Sequence, residues 1–541
     1  MRIIGGRPNT FINRRSNPIL IVLGLLIASV SGCRGPAAEN QTTSQRIDLT
    51  ALEDKIRGGW AGQMIGVSYG APTEFQYLGV LVPEENLVEW TPDMVAGALN
   101  QDDLYVDITL ASVLDEHGLD ATTEDFGAFF KEAGYSLWHA NLAARRALKR
   151  GVPATETGTP QHNAHANDID FQIEADFIGL MTPGLPQASN EICDRAGRVM
   201  NYGDGLYGGM FVSAMYSAAF FEDDPRRIVE AGLAVLPSKS PYARVIADVL
   251  AWSAEHPENW EHVWQLIEDR WSRRETCPEG ALRPFNIDAK VNGAYVALGL
   301  LYGDGDFAET LRISTRAGQD SDCNPASAAG VLGVVLGFDG IPPEFTSGFD
   351  AIADDKFSYT EASFHSIVAD TLRRAVAIVE RSGGRLDGDV LEVRTQPPVA
   401  AKLEIWDDYG DPVERIPITD ERWTWTGAWA ESTTEKWGQT FDCWASTTSG
   451  SEGSIRFNGT GAIVVGWFLP TGGLADIHLD GQLVKTVDTY PDEDDFKFSE
   501  AVWHAFGLPE EEHEVRIVVR GEPYVDSSGS DICLTDLVVF R

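Results

Sequence analysis

Cysteine is scarce in this chain, and basic charge is scarce against acid. Its 541 residues hold only 6 cysteines, and no two stand as Cys-x-x-Cys, so neither a zinc ribbon nor a disulfide framework is written here. Against 82 aspartates and glutamates there are 42 lysines and arginines, a formal charge of −40. Such a chain repels phosphate backbones and anionic lipid surfaces, and no local basic stripe offsets this, which excludes nucleic acid as a partner. There is no internal repeat and no long low-complexity run. A hydrophobic content of 43%, with 15 tryptophans and 24 phenylalanines, says that the chain folds, and its length implies more than one core.

The pronounced apolar run near the start, "ILIVLGLLIASVSGC", is too short to span a bilayer comfortably and follows Arg2, Arg7, Arg14 and Arg15. That is the pattern of an export signal. It ends in Val30-Ser31-Gly32-Cys33, which resembles the lipobox of bacterial lipoproteins. The resemblance implies a signal peptide over 1–33, lipidation of Cys33 and a place in the cell envelope, with the membrane touched only through a lipid anchor. Residues 34–47 then read as a polar tether.

From Asp48 to about Gly384 the periodicity is helical. "TLASVLDEHG" sets Leu110, Val113 and Leu114 on one side, and "SIVADTLRRAVAIVERSGG" sets Ile367, Leu372, Val376 and Val379 on one side before a Gly-Gly stop. From about Val399 the period becomes two, as in "AIVVGWFLP", "HEVRIVVRG" and "ICLTDLVVF". Asp480-Gly481 between two such runs predicts a hairpin turn with positive φ at both residues. Pro397-Pro398 marks the boundary. The expected fold is therefore multidomain: an all-α domain over 48–398 followed by an all-β, jelly-roll-like sandwich over 399–541. Cys443 and Cys533 share that last segment and pair if it brings them together.

Two doubled acidic sites carry the chemistry. "NQDDLYVDITL" and "RAGQDSDCNPASAAGVLGVVLG" each place carboxylates, Asp102 and Asp103 in one and Asp320 and Asp322 in the other, at the start of an apolar helix. Helical neighbours point about 100° apart, so both members of a pair share a target only where the backbone is still non-helical. A single aspartate there is an ordinary N-cap. Two doubled sites exceed what capping needs and point to a hard-cation site. Asp107 lies one turn past Asp103 on the same face. Gly330, Gly333 and Gly337, with alanines between, let the second helix approach a neighbour closely enough to bring the two ends together.

"GGWAGQMIGVSYGAPTEF", "QDDLYVD" and "STRAGQDSDCNPASAAGVLGVVLG" resemble the three signature blocks of the ADP-ribosylglycohydrolase family, in matching order. The resemblance covers roughly Asp48 to Gly384. It implies one or two Mg²⁺ ions, with Mn²⁺ an alternative, and hydrolysis of a glycosidic bond at the anomeric carbon of an ADP-ribosyl compound. It makes Glu74 the acidic residue of the first block and Gln101, Asp102, Asp103, Asp320, Asp322 and Cys323 the metal set, with Glu74 or Asp103 as the base. Gln101 and Cys323 stand where the family has threonines, and Gly66-Val67 where it has Gly-Asp. A thiol is a poor partner for Mg²⁺.

Two further segments are candidates for substrate binding: Asp168, Asp170 and Glu174 in "NDIDFQIEADF", and Tyr202 and Asp204 in the glycine loop "NYGDGLYGG". His162 and His165 lack the one-turn register of a helical metal pair and have no third soft ligand nearby in sequence, so they read as loop histidines. The β-module, with Trp437, Trp444, Trp467 and Trp503, is similar to galactose-binding-like sandwiches that accompany extracellular glycosidases, and most of these rings read as core. Export favours a saccharide over an ADP-ribosyl compound. Two alternatives therefore stand beside the family's default: an exported glycoside hydrolase acting on saccharides, and a non-catalytic surface glycan-binding protein on the same scaffold.

Overall fold

Along the first long helix, α1 (Leu49–Gly70), glycines recur at 58, 62, 66 and 70, one per turn on a single face. The helix that opens with Cys323 answers them. A Cβ on Gly62 would sit 2.1 Å from the Ala329 carbonyl oxygen, and one on Gly66 would sit 2.3 Å from that of Pro325. The backbones therefore touch, as the glycine and alanine spacing of the second helix predicts. The computed structural model describes residues 43–541 other than 407, 437 and 438. Cys33, the export signal, residues 34–42 and Trp437 lie outside the described residues.

Around this pair pack α2 (Asp102–His117), α3 (His139–Lys149), α4 (Asp204–Ala219), α5 (Ala289–Gly303), α6 (Cys323–Leu336, the partner of α1) and α7 (Phe364–Arg381). Leu110, Val113 and Leu114 are buried as the spacing predicts. On α7 the buried face is centred on Ile367, Thr371, Ala375 and Ile378, with Leu372 and Val376 at its margin. The face is rotated because Trp60 Nε1 donates to Thr371 Oγ1 (3.1 Å) and draws that side inward.

The domain's two ends are joined by a small sheet that the helical periodicity does not foresee. Strand β1 (Ser44–Asp48) pairs antiparallel with β3 (Val390–Arg394), which also pairs with β2 (Arg385–Asp387). This corrects the reading of 34–47 as a tether, because its last residues are a strand. Ile47 points into the core opposite Leu391, a signal too short to stand out in a polar run.

Residues 395–406, the linker, then lie across the helices, with Ala401 N donating to Val235 O (2.8 Å) and Arg198 held to Glu404 (3.0 Å). Beyond them, strands β4 (Pro412–Pro417), β5 (Thr424–Thr426), β6 (Ala430–Lys436), β7 (Gln439–Ser446), β8 (Glu452–Gly459), β9 (Gly461–Phe468), β10 (Gly473–Leu479), β11 (Gln482–Asp488), β12 (Lys497–Ala505), β13 (Glu511–Pro523) and β14 (Ile532–Phe540) form two antiparallel sheets. One runs β11-β10-β13-β8-β5 and the other β12-β9-β14-β7-β6, with β4 also on β14. Asp480 (φ +51°) and Gly481 (φ +78°) make the expected turn between β10 and β11. Trp467 and Trp503 are buried core residues. Cys443 and Cys533 meet beside Trp467 but remain thiols. Among the described residues no helix is long and apolar enough to cross a membrane.

The sandwich grips α3. Arg146 and Arg150 converge on Asp488 (3.0 and 2.6 Å), Arg145 meets Glu493 (2.7 Å), and the Arg146 guanidinium stacks on Phe468 (3.6 Å). Burial alone would raise the Asp488 pKa, but the two arginines hold it down to about 2, against an ordinary 3.8.

Gly62→Ala should lower stability by about 1–3 kcal/mol through overpacking, read by thermal unfolding. Gly134→Ala, with open space around it, should be near neutral. A carboxyl with a depressed folded pKa contributes stability that is present above its ordinary pKa and is lost as pH falls through the folded value. Asp488→Asn should therefore cost on the order of 2 kcal/mol at neutral pH and remove that part of the acid dependence between about pH 4 and 2 in urea titrations.

Candidate active site

Glu74 follows α1 after a 3-10 turn, Ala71–Thr73. A Cβ on Gly70 would lie 2.0 Å from the Ser321 carbonyl oxygen, and Thr73 Oγ1 and Ser321 Oγ are 2.8 Å apart. The glycine stripe thus ends by pressing the chain before Glu74 against the chain before α6. There Gly318 (φ +78°) and Gln319 (φ +57°) turn the backbone. Gln319 fixes the turn: its carbonyl accepts from Phe75 N (3.0 Å), its Oε1 accepts from Asn286 N (3.0 Å), and its Nε2 donates to Pro284 O (2.9 Å).

Asp320 and Asp322 emerge from that turn, each 2% exposed. From the other side α2 begins at Gln101, whose extended backbone (φ −103°, ψ 142°) caps the helix and leaves Asp102 and Asp103 in its first turn. The Gln101 carbonyl accepts from Leu104 N and Tyr105 N. The Cys323 thiol donates to Asp103 Oδ2 across 3.5 Å, joining the two helix starts. Donor atoms of Glu74, Asp320 and Asp322 lie within 4.8 Å of one another, and so do those of Asp103, Asp322 and Cys323. Two triads therefore share Asp322.

Oxygens of Asp103, Asp320 and Asp322 are buried without any hydrogen-bond partner. Burial, then the neighbouring carboxylates, push Glu74, Asp103, Asp320 and Asp322 well above the usual carboxylate range. Asp102 is raised too, chiefly by burial. Buried carboxylates with unmet lone pairs are stable only with a counter-charge among them, and the oxygen-rich donor set fits a hard divalent cation. Cys323, pushed far up by burial and by Asp103, stands as a protonated donor to that carboxylate. Behind lies a second acidic layer: Gln63 Nε2 donates to Asp107 (3.1 Å), and Tyr216 OH donates to Asp176 (2.9 Å).

Aromatic rings flank the carboxylates. Phe75, in the left-handed region (φ +49°), lies 5.1 Å from Phe285, and His139 (φ +42°) lies 5.9 Å from it. Tyr359, 57% exposed, meets Tyr105 edge-on at 5.0 Å. His139 is held at about 8, because Glu279, Asp168 and Asp170 outweigh its burial. None of these five rings is readable as functional from the sequence. Only Phe75 and Tyr105 stand within the motif blocks.

The central acidic segment divides. Asp170 accepts from Ala140 N (3.2 Å) and Asn141 N (2.9 Å), so it caps α3 and sets His139, while Glu174 accepts from Asn141 Nδ2. Both carboxylates feel Asp102. The helix there is only Asp170–Ile173, shorter than the spacing suggests. Asp168 belongs elsewhere, bonded to His165 (2.7 Å). Asp204 opens α4 and accepts from Tyr242 N (3.1 Å), and Tyr202 meets Trp406 edge-on at 6.0 Å. These two sit apart from the Glu74 cluster.

The sequence model of the ADP-ribosylglycohydrolase family matches residues 48–376. The chain belongs to the ADP-ribosylglycohydrolase family. The matched segment holds every carboxylate of the cleft, and the family is of glycohydrolase type and generally metal-dependent. Among solved structures, an "ADP-ribosylglycohydrolase-related protein complex" is 17% identical over 60% of this chain and 98% of that chain, with a TM-score of 0.38. The CBM36-1 domain of a multidomain xylanase from the hindgut metagenome of Trinervitermes trinervoides is 14% identical over 23% and 94%, with a TM-score of 0.17. A two-domain esterase active on acetylated mannans, co-crystallized with mannopentaose, is 12% identical over 37% and 52%, with a TM-score of 0.20. No curated protein matches the chain.

Asp322 lies in both triads of this family member, so Asp322→Asn should raise the melting temperature of the chelator-treated protein by relieving repulsion. The same change should shrink the stabilisation that added Mg²⁺ gives the wild type by mass action, with both read by differential scanning fluorimetry.

Proposed function

We propose that this protein is a metal-dependent hydrolase that cleaves a glycosidic bond at an anomeric carbon, with an ADP-ribosyl compound as the family's default substrate. The observation that carries this reading is the meeting of Glu74, Asp103, Asp320 and Asp322 around buried oxygens that lack partners. Asp103, Asp320 and Asp322, with Asp102 beside them, would hold Mg²⁺ or Mn²⁺. When bound, such an ion orients sugar hydroxyls and acidifies water. Glu74, at the end of its turn and less enclosed than the aspartates, serves as the base that takes a proton from the attacking water. The surrounding carboxylates favour the positive charge that grows on the sugar in an oxocarbenium-like transition state. The Phe75–Phe285 and Tyr105–Tyr359 pairs offer faces for a planar base or a sugar ring.

Purified protein assayed on ADP-ribosyl compounds and on a panel of aryl glycosides should turn over the former. Chelator should abolish the activity, and Mg²⁺ or Mn²⁺ should restore it. Glu74→Gln should lower kcat by about 10²–10⁴-fold with KM little changed. Turnover confined to aryl glycosides would install the saccharide reading, which the export-type segment 1–33 favours. No turnover on either would leave a glycan-binding protein in place of an enzyme.

That same segment supports an envelope location, with Cys33 as the lipidated residue. Cells fed labelled palmitate should yield labelled protein in the membrane fraction, and Cys33→Ser should abolish the label.

A further inference from the structure

Away from the carboxylate cleft, where the sandwich meets the helices, a second group of donors comes together. Atoms of His165, Asp168 and Cys277 lie within 4.8 Å of one another, and Glu500 Oε2 of β12 stands 3.5 Å from His165 Nε2. All four residues are buried, at 2%, 0%, 0% and 5% exposure. His165 Nδ1 is bonded to Asp168 Oδ2 (2.7 Å), yet His165 Nε2 and Asp168 Oδ1 have no hydrogen-bond partner.

The backbone around these side chains is fixed. Asp168 N donates to His165 O (2.9 Å), and Ile169 N donates to Ile287 O (3.0 Å). Glu275 accepts from Cys277 N, Ile287 N and Asp288 N at 2.8–2.9 Å and so holds the loop that carries Cys277. Tyr409 OH, bonded to Ala164 O (3.0 Å), closes the side toward the linker. Two segments of the helical domain thus deliver an imidazole, a thiol and a carboxylate to one dry point, and one strand of the sandwich sets a second carboxylate at the far nitrogen of the ring.

We infer that His165, Asp168 and Cys277 form a structural site for a borderline transition metal, zinc foremost, with Glu500 of β12 steadying the imidazole from its other nitrogen. Nitrogen, sulfur and oxygen donors together suit Zn²⁺ and disfavour Mg²⁺. The cleft has the opposite preference, with carboxylate oxygens prevailing. A proton is the competing occupant, making an imidazolium between Asp168 and Glu500. It would leave Asp168 Oδ1 unpartnered and the Cys277 sulfur with only the Gly280 amide, which donates to it across 3.2 Å, whereas a metal engages both. The reading of His162 and His165 as loop histidines is thus divided: His162 stands on a turn 3.7 Å from Glu156, and His165 finds its soft partner in a distant loop.

The test is zinc analysis and zinc K-edge X-ray absorption on full-length protein. Cys323 is the other buried thiol near carboxylates, so the Cys323→Ser variant is measured beside the wild type. Retention of about one zinc per chain with a sulfur scatterer near 2.3 Å, kept in Cys323→Ser and lost in Cys277→Ser, is the expected result. A protein that takes up no zinc, a zinc shell without sulfur, or a sulfur shell lost in Cys323→Ser would each overturn the assignment. Should Cys277→Ser fail to fold, the wild-type and Cys323→Ser spectra decide alone. Neither outcome depends on turnover.

Discussion

Backbone contact between α1 and α6 is the constraint on which the rest depends. A side chain on the facing glycines would collide with a carbonyl at little over 2 Å, so the helices approach more closely than ordinary interaxial spacing. That closeness does more than bury area. It fixes the register of two segments far apart in sequence, so that the turn after α1 and the turn before α6 end at the same place. Glu74 then meets Asp320 and Asp322 as a consequence of helix packing. The residues that hold the chemistry and those that hold the fold are one continuous strip.

The same strip accounts for the electrostatic tension of the cleft. Carboxylates that repel one another are gathered where water cannot screen them. Two helix starts supply partial positive charge, and one thiol proton reaches Asp103, but several oxygens remain unmet. The second layer, Asp107 and Asp176, is steadied by an amide and a phenol. An acidic interior of this depth gives the fold a standing demand for cations, and the chain's overall charge of −40 raises their local concentration.

Much of this was legible in the residues. The doubled aspartates, read as helix starts with more charge than capping needs, fell where that argument put them, and the alanine-glycine run did bring two ends together. The positive φ at Asp480 and Gly481 followed from turn chemistry alone. Other features were hidden for physical reasons. His139 acquires its place through a strained backbone and a cap from Asp170, neither of which leaves a periodic trace. The aromatic rings around the cleft come from separate segments, Tyr105 from α2, His139 from the start of α3 and Phe75, Phe285 and Tyr359 from between helices. Ser44 to Asp48 reads as polar because an edge strand of a small sheet buries little more than Ile47.

That short strand has a mechanical implication. Ser44 pairs with Arg394 at the end of the ladder nearest both Thr43 and the linker, where Thr43 Oγ1 and Thr395 Oγ1 stand 2.8 Å apart. Traction on the chain ahead of Thr43 would open the ladder one residue pair at a time, as a zipper opens, because the load enters at the Ser44–Arg394 end. Ile47, opposite Leu391, is the one buried residue of the strand, so β1 is a yielding element ahead of α1.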